Sequence, residues 1–366
     1  MDPDLVSRHS VLFSDSRRMG GIADDSIDLI VTSPPYPLIE MWDAAFSKMS
    51  PDAARALEDG DGPRAFDACH LELDKVWGEC FRLLRDGGLA CINVGDAVRT
   101  LGGEFRLYSN HSRILSAMTR LGFSALPDIL WRKQTNAPNK FMGSGMLPAG
   151  AYVTYEHEYV LIFRKGGLRR FLSADEKENR HRSAYFWEER NVWFSDVWTD
   201  LKGTGQALAA PEARSRSGAF PFELAYRLIA MFTVYGDAVL DPFLGTGTTC
   251  AAALASMRNS IGIEFDEGLS RTIGETLRAA VAAGRERAAR RLEEHGAFVS
   301  ERLSEGKAFK HENARHDFPV ITAQERDMAL YAPVSVRETA ANRYEASHEI
   351  SRGREEPARP GQLSLF

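Results

Sequence analysis

The sequence predicts an α/β fold in which a mostly parallel sheet is covered by helices on both faces. Three observations carry that prediction. Short apolar runs at 27–31, 89–94, 238–240 and 260–264 have the length and continuous hydrophobicity of buried parallel strands. Segments with apolar residues three and four apart lie between several of them, as crossover helices would. Two of the runs end in loops of uncommon composition, Thr32-Ser33-Pro34-Pro35-Tyr36 and Asp241-Pro242-Phe243-Leu244-Gly245-Thr246-Gly247-Thr248. In open α/β sheets, ligands bind where the strands end.

Composition sets the bounds. The 366 residues are 44% hydrophobic, enough for one large domain or two smaller ones. The net charge of −6 argues against a protein that coats nucleic acid with a basic surface, so any DNA contact has to be local. Cys69, Cys80, Cys91 and Cys250 lack the paired spacing of a metal site and point to a reduced, cytoplasmic protein. No apolar run is long enough to span a bilayer, and no internal repeat is visible.

In chain order, residues 11–16 form a short strand ending in an acidic turn at Asp15. The strand at 27–31 has to stop near Thr32, because proline cannot continue a ladder and holds the residue before it extended. Ser33 to Tyr36 then form a stiff loop with a hydroxyl, unused backbone carbonyls and an aromatic ring. A planar amine can donate to those oxygens while the ring covers its face. Residues 37–66 are polar and alanine-rich and predict one or two short helices beside this loop. Leu73, Val76, Trp77, Cys80, Phe81 and Leu84 mark a helix over 71–84, closed by Asp86-Gly87-Gly88. A strand at 89–94, a helix at 109–121 and strands at 124–131 and 158–163 follow. His157 beside Glu158 is read as structural.

Residues 161–220 differ in texture. Their periodicity is poor, they hold Trp187, Trp193 and Trp198, and they carry eleven basic against eight acidic residues in an otherwise acidic chain. Local positive charge among aromatics suits phosphate and base contacts. Arg169, Arg170, Arg180, Arg182, Arg214 and Arg216 are the DNA candidates, while most of the tryptophans are expected in a small core.

Phe220-Pro221-Phe222 opens a helix that runs to about Tyr235. The strand at 238–240 leads into the glycine loop and a helix over 250–257. The glycines let backbone amides approach a ligand at a helix N-terminus. A dinucleotide fingerprint would place a third glycine at position 250, which is Cys250, and no lysine follows Gly247 as a P-loop requires. The strand at 260–264 ends in Glu264, spaced from the loop as an acceptor for two ribose hydroxyls, with Asp266 as the alternative. A long helix over 266–291 follows. After Gly296 the chain turns polar, with a short return strand at 318–321. From Ser335 onward the composition predicts little fixed structure.

Ser33-Pro34-Pro35-Tyr36 after an apolar strand resembles the catalytic motif of the DNA amino-methyltransferases, which methylate the exocyclic nitrogen of cytosine or adenine with S-adenosylmethionine. The loop from Asp241 to Thr248 looks like their cofactor loop. Trp131-Arg132-Lys133 and His157-Glu158-Tyr159 look like later segments of the same family. The catalytic loop comes before the cofactor loop, which resembles the beta group, whose two sheet halves are exchanged in sequence. Enzymes that methylate glutamine in proteins share a Pro-Pro-Tyr motif but place the cofactor loop first. Carbon-5 cytosine enzymes need a Pro-Cys nucleophile, and no cysteine here follows a proline.

The resemblance implies a Rossmann-like methyltransferase sheet, mostly parallel and circularly permuted, with an inserted target-recognition region. The expected division is a catalytic half over 1–164, the recognition region over 165–218, a cofactor half over 219–295 and a C-terminal extension with a flexible tail over 296–366. It assigns Ser33, Pro34, Pro35 and Tyr36 to catalysis. It assigns Asp15, Phe220, Pro221, Asp241, Pro242, Phe243, Gly245, Thr246, Gly247, Thr248 and Glu264 to S-adenosylmethionine, and no residue to a metal. The implied substrate is double-stranded DNA with the target base flipped out. Cytosine N4 is the first choice, because serine at the first motif position is commoner among N4 enzymes. Adenine N6 is the alternative, and a catalytically inactive DNA-binding protein is the alternative of another class. A cognate restriction enzyme is a possible partner. The terminal Gln362-Leu363-Ser364-Leu365-Phe366 resembles the peptide by which bacterial proteins dock on the polymerase sliding clamp, through Gln362, Leu363, Leu365 and Phe366.

Overall fold

The computed structural model describes residues 5–133, 142–143, 145–202 and 220–353. In chain order its strands are β1 (Val6–Phe13), β2 (Ile27–Thr32), β3 (Leu84–Val94), β4 (Ala97–Leu101), β5 (Glu104–Tyr108), β6 (Ser124–Arg132), β7 (Met142–Gly143) and β8 (Ala151–Tyr152). They continue with β9 (His157–Arg164), β10 (Val197–Trp198), β11 (Ala238–Asp241), β12 (Asn259–Glu264), β13 (His311–Glu312), β14 (Pro319–Val320), β15 (Tyr331–Ala340) and β16 (Arg343–Ile350). Ten of them form one sheet in the order β10-β6-β9-β3-β2-β11-β12-β1-β16-β15, and the others pair as three two-stranded ladders.

The five central strands, β3, β2, β11, β12 and β1, are mutually parallel. The exchange of halves read from the motif order is visible in the ladder. β2 and β11 are neighbours, and Thr32 at the end of one bonds Asp241 at the end of the other across 209 residues of sequence. β9 lies antiparallel between β3 and β6, so it starts where the central strands end. Their carboxyl ends define one edge of the sheet and their amino ends the other.

Every residue of β2 is buried, as its unbroken hydrophobic run requires. Leu29 and Val31 pack with Leu224, Leu228 and Ile229 of the helix Phe222–Phe232 on one face. Ile30 packs on the other with Leu73, Val76 and Trp77 of the helix Gly62–Leu83 and with Ile114 and Met118 of the helix Asn110–Arg120. Burying each such side chain contributes about 1.5–3 kcal/mol.

Several expectations are corrected. The helix read from 71 begins nine residues earlier, at Gly62, where the Asp61 side chain accepts from the Arg64 amide at 3.1 Å. Its apolar stripe starts late because the first turns carry small residues. The turn at Asp86-Gly87-Gly88 lies inside β3, with Gly87 at φ +79°. The hairpin of β4 and β5 was not read from the sequence. The long helix runs over Ser270–Ser304, so a boundary at 295 falls within it. Residues 335–350, where little fixed structure was expected, lie in two strands. β16 pairs with β1 and β15 with β16, and buried Tyr344, Ala346 and His348 alternate with more exposed neighbours. Only one face of this hairpin is covered, so its composition is polar although its period is that of a strand. Among the described residues no helix is long and apolar enough to cross a membrane.

Candidate active site

The catalytic loop leaves β2 at Thr32, and neighbouring strands deliver polar groups to the same edge. Asn93 comes from the end of β3, and Glu158 from the start of antiparallel β9. Ser33 Oγ lies 2.9 Å from Tyr36 Oη. Tyr36 Oη is 3.2 Å from Glu158 Oε2 and accepts from Asn93 Nδ2 at 3.1 Å. Asn93 Nδ2 also donates to Glu158 Oε2 at 2.6 Å, and Lys133 Nζ donates to Glu158 Oε1 at 2.8 Å. Burial, with the Glu158 carboxylate beside it, pushes the Tyr36 phenol well above its usual range, so it stays neutral. A Cβ on Gly95 would lie 3.2 Å from Tyr36 Cε2 and 3.3 Å from Glu158 Cγ. Glycine there makes room for the ring. Pro34 is buried behind the loop, and Ser33, Pro35 and Tyr36 are half-buried at its surface.

The glycine loop faces the same edge. Gly245 and Gly247 adopt φ +56° and +96°, a region that side chains disfavour. A Cβ on Gly245 would meet nothing within 4 Å, so its backbone borders open space. Gly247 caps the helix Thr248–Ala255, half-buried Thr246 and Thr248 flank it, and Phe243 meets Trp77 edge-on at 6.0 Å. The loop is seated on β12 by Leu244, whose amide donates to Ile263 O at 2.9 Å. A Cβ on Gly262 would overlap the Leu244 side chain.

Glu264 Oε2 accepts from Gly245 N at 2.7 Å, and Oε1 from Asp266 N at 2.8 Å. Burial holds this carboxyl above the usual range. Each oxygen has a second lone-pair site, so two ribose hydroxyls can still be received. Asp266 instead caps the following turn through Gly268 N at 3.0 Å. Phe265, next to Glu264, is 79% exposed. A cavity of about 480 Å³ lined by Phe13, Ser14, Ile263 and Glu267 opens nearby. A half-buried carboxylate, an uncovered aromatic ring and open backbone at the glycine loop fit S-adenosylmethionine. Phe220 and Pro221 are buried at the start of the helix Phe222–Phe232, at this edge.

Two cofactor assignments are revised. Asp241 is 2% exposed and both its oxygens are taken. Thr32 Oγ1 and Phe243 N donate to Oδ1 at 2.6 and 3.0 Å, and Thr249 Oγ1 to Oδ2 at 2.6 Å. Burial raises its carboxyl to about 6 against these three donors. Asp241 therefore ties the end of β2 to the helix after the glycine loop, and its burial keeps it from the cofactor's ammonium group. Asp15 is paired with Arg17, at 2.6 Å from Nη2, which holds its carboxyl below the usual range. Its turn still reaches the cofactor loop, because Ser16 Oγ bonds Pro242 O and Ser14 N donates to Glu264 O at 3.0 Å.

The arginine assignments are corrected more strongly. β9 carries the chain to the amino edge, where Gly87 N donates to Lys165 O at 2.8 Å. Arg169 there pairs with Asp237 at 2.5 Å and Asp28 at 3.3 Å, at the starts of β11 and β2. Arg180 stacks over Phe171 at 4.8 Å, exposed Arg170 adjoins Arg169, and half-buried Arg182 gives its carbonyl to Ala329 N. The length of β2, roughly 17 Å, separates this edge from Ser33. These four residues therefore do not flank a base held at the catalytic loop. Arg214 and Arg216 lie outside the described residues. Trp193 and Trp198 are buried, as expected of a small core. A cleft of about 740 Å³ at the amino edge, lined by Arg164, Arg180 and Arg190, is remote from the catalytic loop.

Sequence reading missed Asn93, Lys133, Thr249 and Phe265, and gave Glu158 no role in the site. Four of the five lie within two residues of a strand's end at the carboxyl edge, which is the signal that could have found them.

A family model described as DNA methylase matches residues 27–275. The chain is 47% identical over 342 residues to the Type II methyltransferase M.MthZI of Methanothermobacter thermautotrophicus, covering 93% of this chain and 95% of that one. It is 44% identical over 288 residues to the Type II methyltransferase M.MjaI of Methanocaldococcus jannaschii, covering 76% and 93%. A protein of Thermus thermophilus described as a putative DNA modification methylase, solved with S-adenosyl-L-methionine, superposes with a TM-score of 0.58 at 30% identity, covering 74% and 94%. The chain belongs to the DNA amino-methyltransferase family, beta group, and S-adenosylmethionine is its cofactor.

Proposed function

We propose that the chain methylates the exocyclic N4 of cytosine at a specific site in double-stranded DNA. The supporting observation is Ser33, a neutral, half-buried hydroxyl at the first position of the motif and at the carboxyl edge of the sheet. The amine of cytosine is a poor nucleophile because its lone pair is delocalised into the ring. Ser33 Oγ and the Pro34 carbonyl accept its two hydrogens, drawing the nitrogen toward tetrahedral geometry and localising the lone pair. The Tyr36 ring lies against the flipped base. Pro34 and Pro35 hold these acceptors rigidly, so orientation contributes up to several kcal/mol to the barrier reduction. Glu264 and the amides around Gly245 hold S-adenosylmethionine, which supplies an electrophilic methyl group when bound.

DNA approaches the carboxyl edge. Arg132 and Lys133 stand there, and Leu201 meets Trp131 beside them. The Type II relatives support a role beside a restriction enzyme. Incubation with labelled S-adenosylmethionine and bacterial genomic DNA, followed by nucleoside mass spectrometry, should yield N4-methylcytosine. Finding only N6-methyladenine would reverse the choice of base. DNA binding without any transfer would favour the inactive DNA-binding alternative. Gln362, Leu363, Leu365 and Phe366, outside the described residues, are proposed to anchor the chain to a sliding clamp and raise its concentration near new DNA. Truncation after Gly361 should abolish clamp binding, and equal binding by both forms would refute the anchor.

A further inference from the structure

We propose that Glu158 is a positioning residue for this transfer: it sets the direction in which the Ser33 hydroxyl points its proton, and Lys133 holds Glu158 in place. The inference rests on the methyl-transfer reading above and assigns a role to a residue outside the catalytic motif. The direction follows from what each group can donate. An ionised carboxylate only accepts. Asn93 must therefore turn its NH₂ toward Glu158, since the reverse would press two acceptor oxygens together at 2.6 Å. The same NH₂ donates to Tyr36 Oη at 3.1 Å. Tyr36 has a single proton and three acceptors in reach: Ser33 Oγ at 2.9 Å, Glu158 Oε2 at 3.2 Å and Asn93 O at 3.4 Å. A charged acceptor outcompetes neutral ones. The Tyr36 proton therefore goes to Glu158, and the Ser33 proton goes to Tyr36.

The consequence falls on the substrate. With its own hydrogen turned toward Tyr36, Ser33 Oγ offers only lone pairs to the amine. If the chain ran the other way, Tyr36 would donate to Ser33, and the Ser33 proton would point at the incoming amine. There it would bond the nitrogen lone pair that has to attack the methyl carbon. Lys133 secures the direction by bonding Oε1 at 2.8 Å, which leaves Oε2 for Asn93 and Tyr36. A glutamine at 158 would turn its amide oxygen to Lys133 and its NH₂ to Tyr36, reversing the chain without changing its shape.

The test is a double-mutant cycle on kcat with genomic DNA, with affinity for S-adenosylmethionine and melting temperature measured in parallel. Glu158→Gln and Tyr36→Phe should each lower kcat about 10- to 100-fold and leave cofactor affinity and melting temperature unchanged. The double variant should be within about twofold of the worse single one, because both act through one proton. Multiplying losses, or a loss of cofactor affinity that tracks kcat, would overturn the role of Glu158. An unchanged kcat in Tyr36→Phe would overturn it whether or not the Glu158 variant folds. A wild-type chain without transfer activity would instead sink the methyl-transfer reading, and this inference with it.

Discussion

At the amino edge of the central strands, Asp28 meets Arg85 at 2.5 Å and Arg169 at 3.3 Å, Asp237 meets Arg169 at 2.5 Å, and Asp25 meets Lys165 at 2.6 Å. At the carboxyl edge, Ser33 Oγ has one hydrogen-bond partner among the described residues, Glu264 accepts from the Gly245 and Asp266 amides, and Phe265 is bare. Both edges are rich in polar groups. At the first, the protein's own cations close them. At the second, acceptors are rigidly held but only partly used. Unused capacity on a fixed frame distinguishes the site, whereas density of charge does not.

Removing Ser33 Oγ should break the comparison at its most sensitive point. Ser33→Ala should lower kcat by about 10²–10³, in line with removal of one preorganised transition-state partner, while titration calorimetry shows unchanged affinity for S-adenosylmethionine. A parallel loss of affinity would mean that the loop is structural. Arg169→Ala tests the other edge. It should cost roughly 1–3 kcal/mol of stability in denaturant titrations, because it removes the cation paired with Asp237 and leaves Asp28 with Arg85 alone, and should not alter DNA affinity. Burial raises the Asp28 carboxyl to about 6, with Asp237 reinforcing the shift. A carboxyl raised in the fold contributes stability at low pH that is lost as pH rises through 6. Without Arg169 that loss deepens, so the deficit of the variant should be larger at pH 8 than at pH 5. A deficit that shrinks with rising pH would contradict the pairing.

Gly95→Ala sharpens the account of the carboxyl edge. The added methyl presses on Tyr36 and Glu158 together, and turnover should fall by roughly tenfold with little change in melting temperature. Unchanged turnover would show that the ring has room to spare. Arg180→Ala is the smallest expected effect. DNA affinity in a filter-binding assay should change less than about twofold, the range of an exposed cation remote from the interface. A larger loss would bring DNA to the amino edge after all.

How much was legible in the sequence follows from the same contrast. β2, β11 and β12 were legible because burial on both faces leaves an uninterrupted apolar run, and the prolines and glycines after them have few uses other than fixing a loop. The spacing of Glu264 from the glycine loop singled it out, and the structure puts its carboxylate on the Gly245 amide. The four described arginines were misread because sequence gives charge but not partners. Arg169 differs from a DNA-binding arginine only in standing beside Asp28 and Asp237, which are distant in the chain. Glu158 was passed over for a related reason. Its place at the catalytic edge depends on β9 running antiparallel, and a strand's direction is not written in its composition. The hairpin of β15 and β16 was lost because a sheet margin with one covered face can be built largely from polar residues.

Asp241 accepts from Thr32 and Thr249, so a single carboxylate is bolted to the last residue before Ser33 and to the second residue of the helix behind the glycine loop. The glycine loop and the catalytic loop are thus fastened to one buried carboxylate, so the spacing between them is set by a joint two hydrogen bonds long and not by the strands alone.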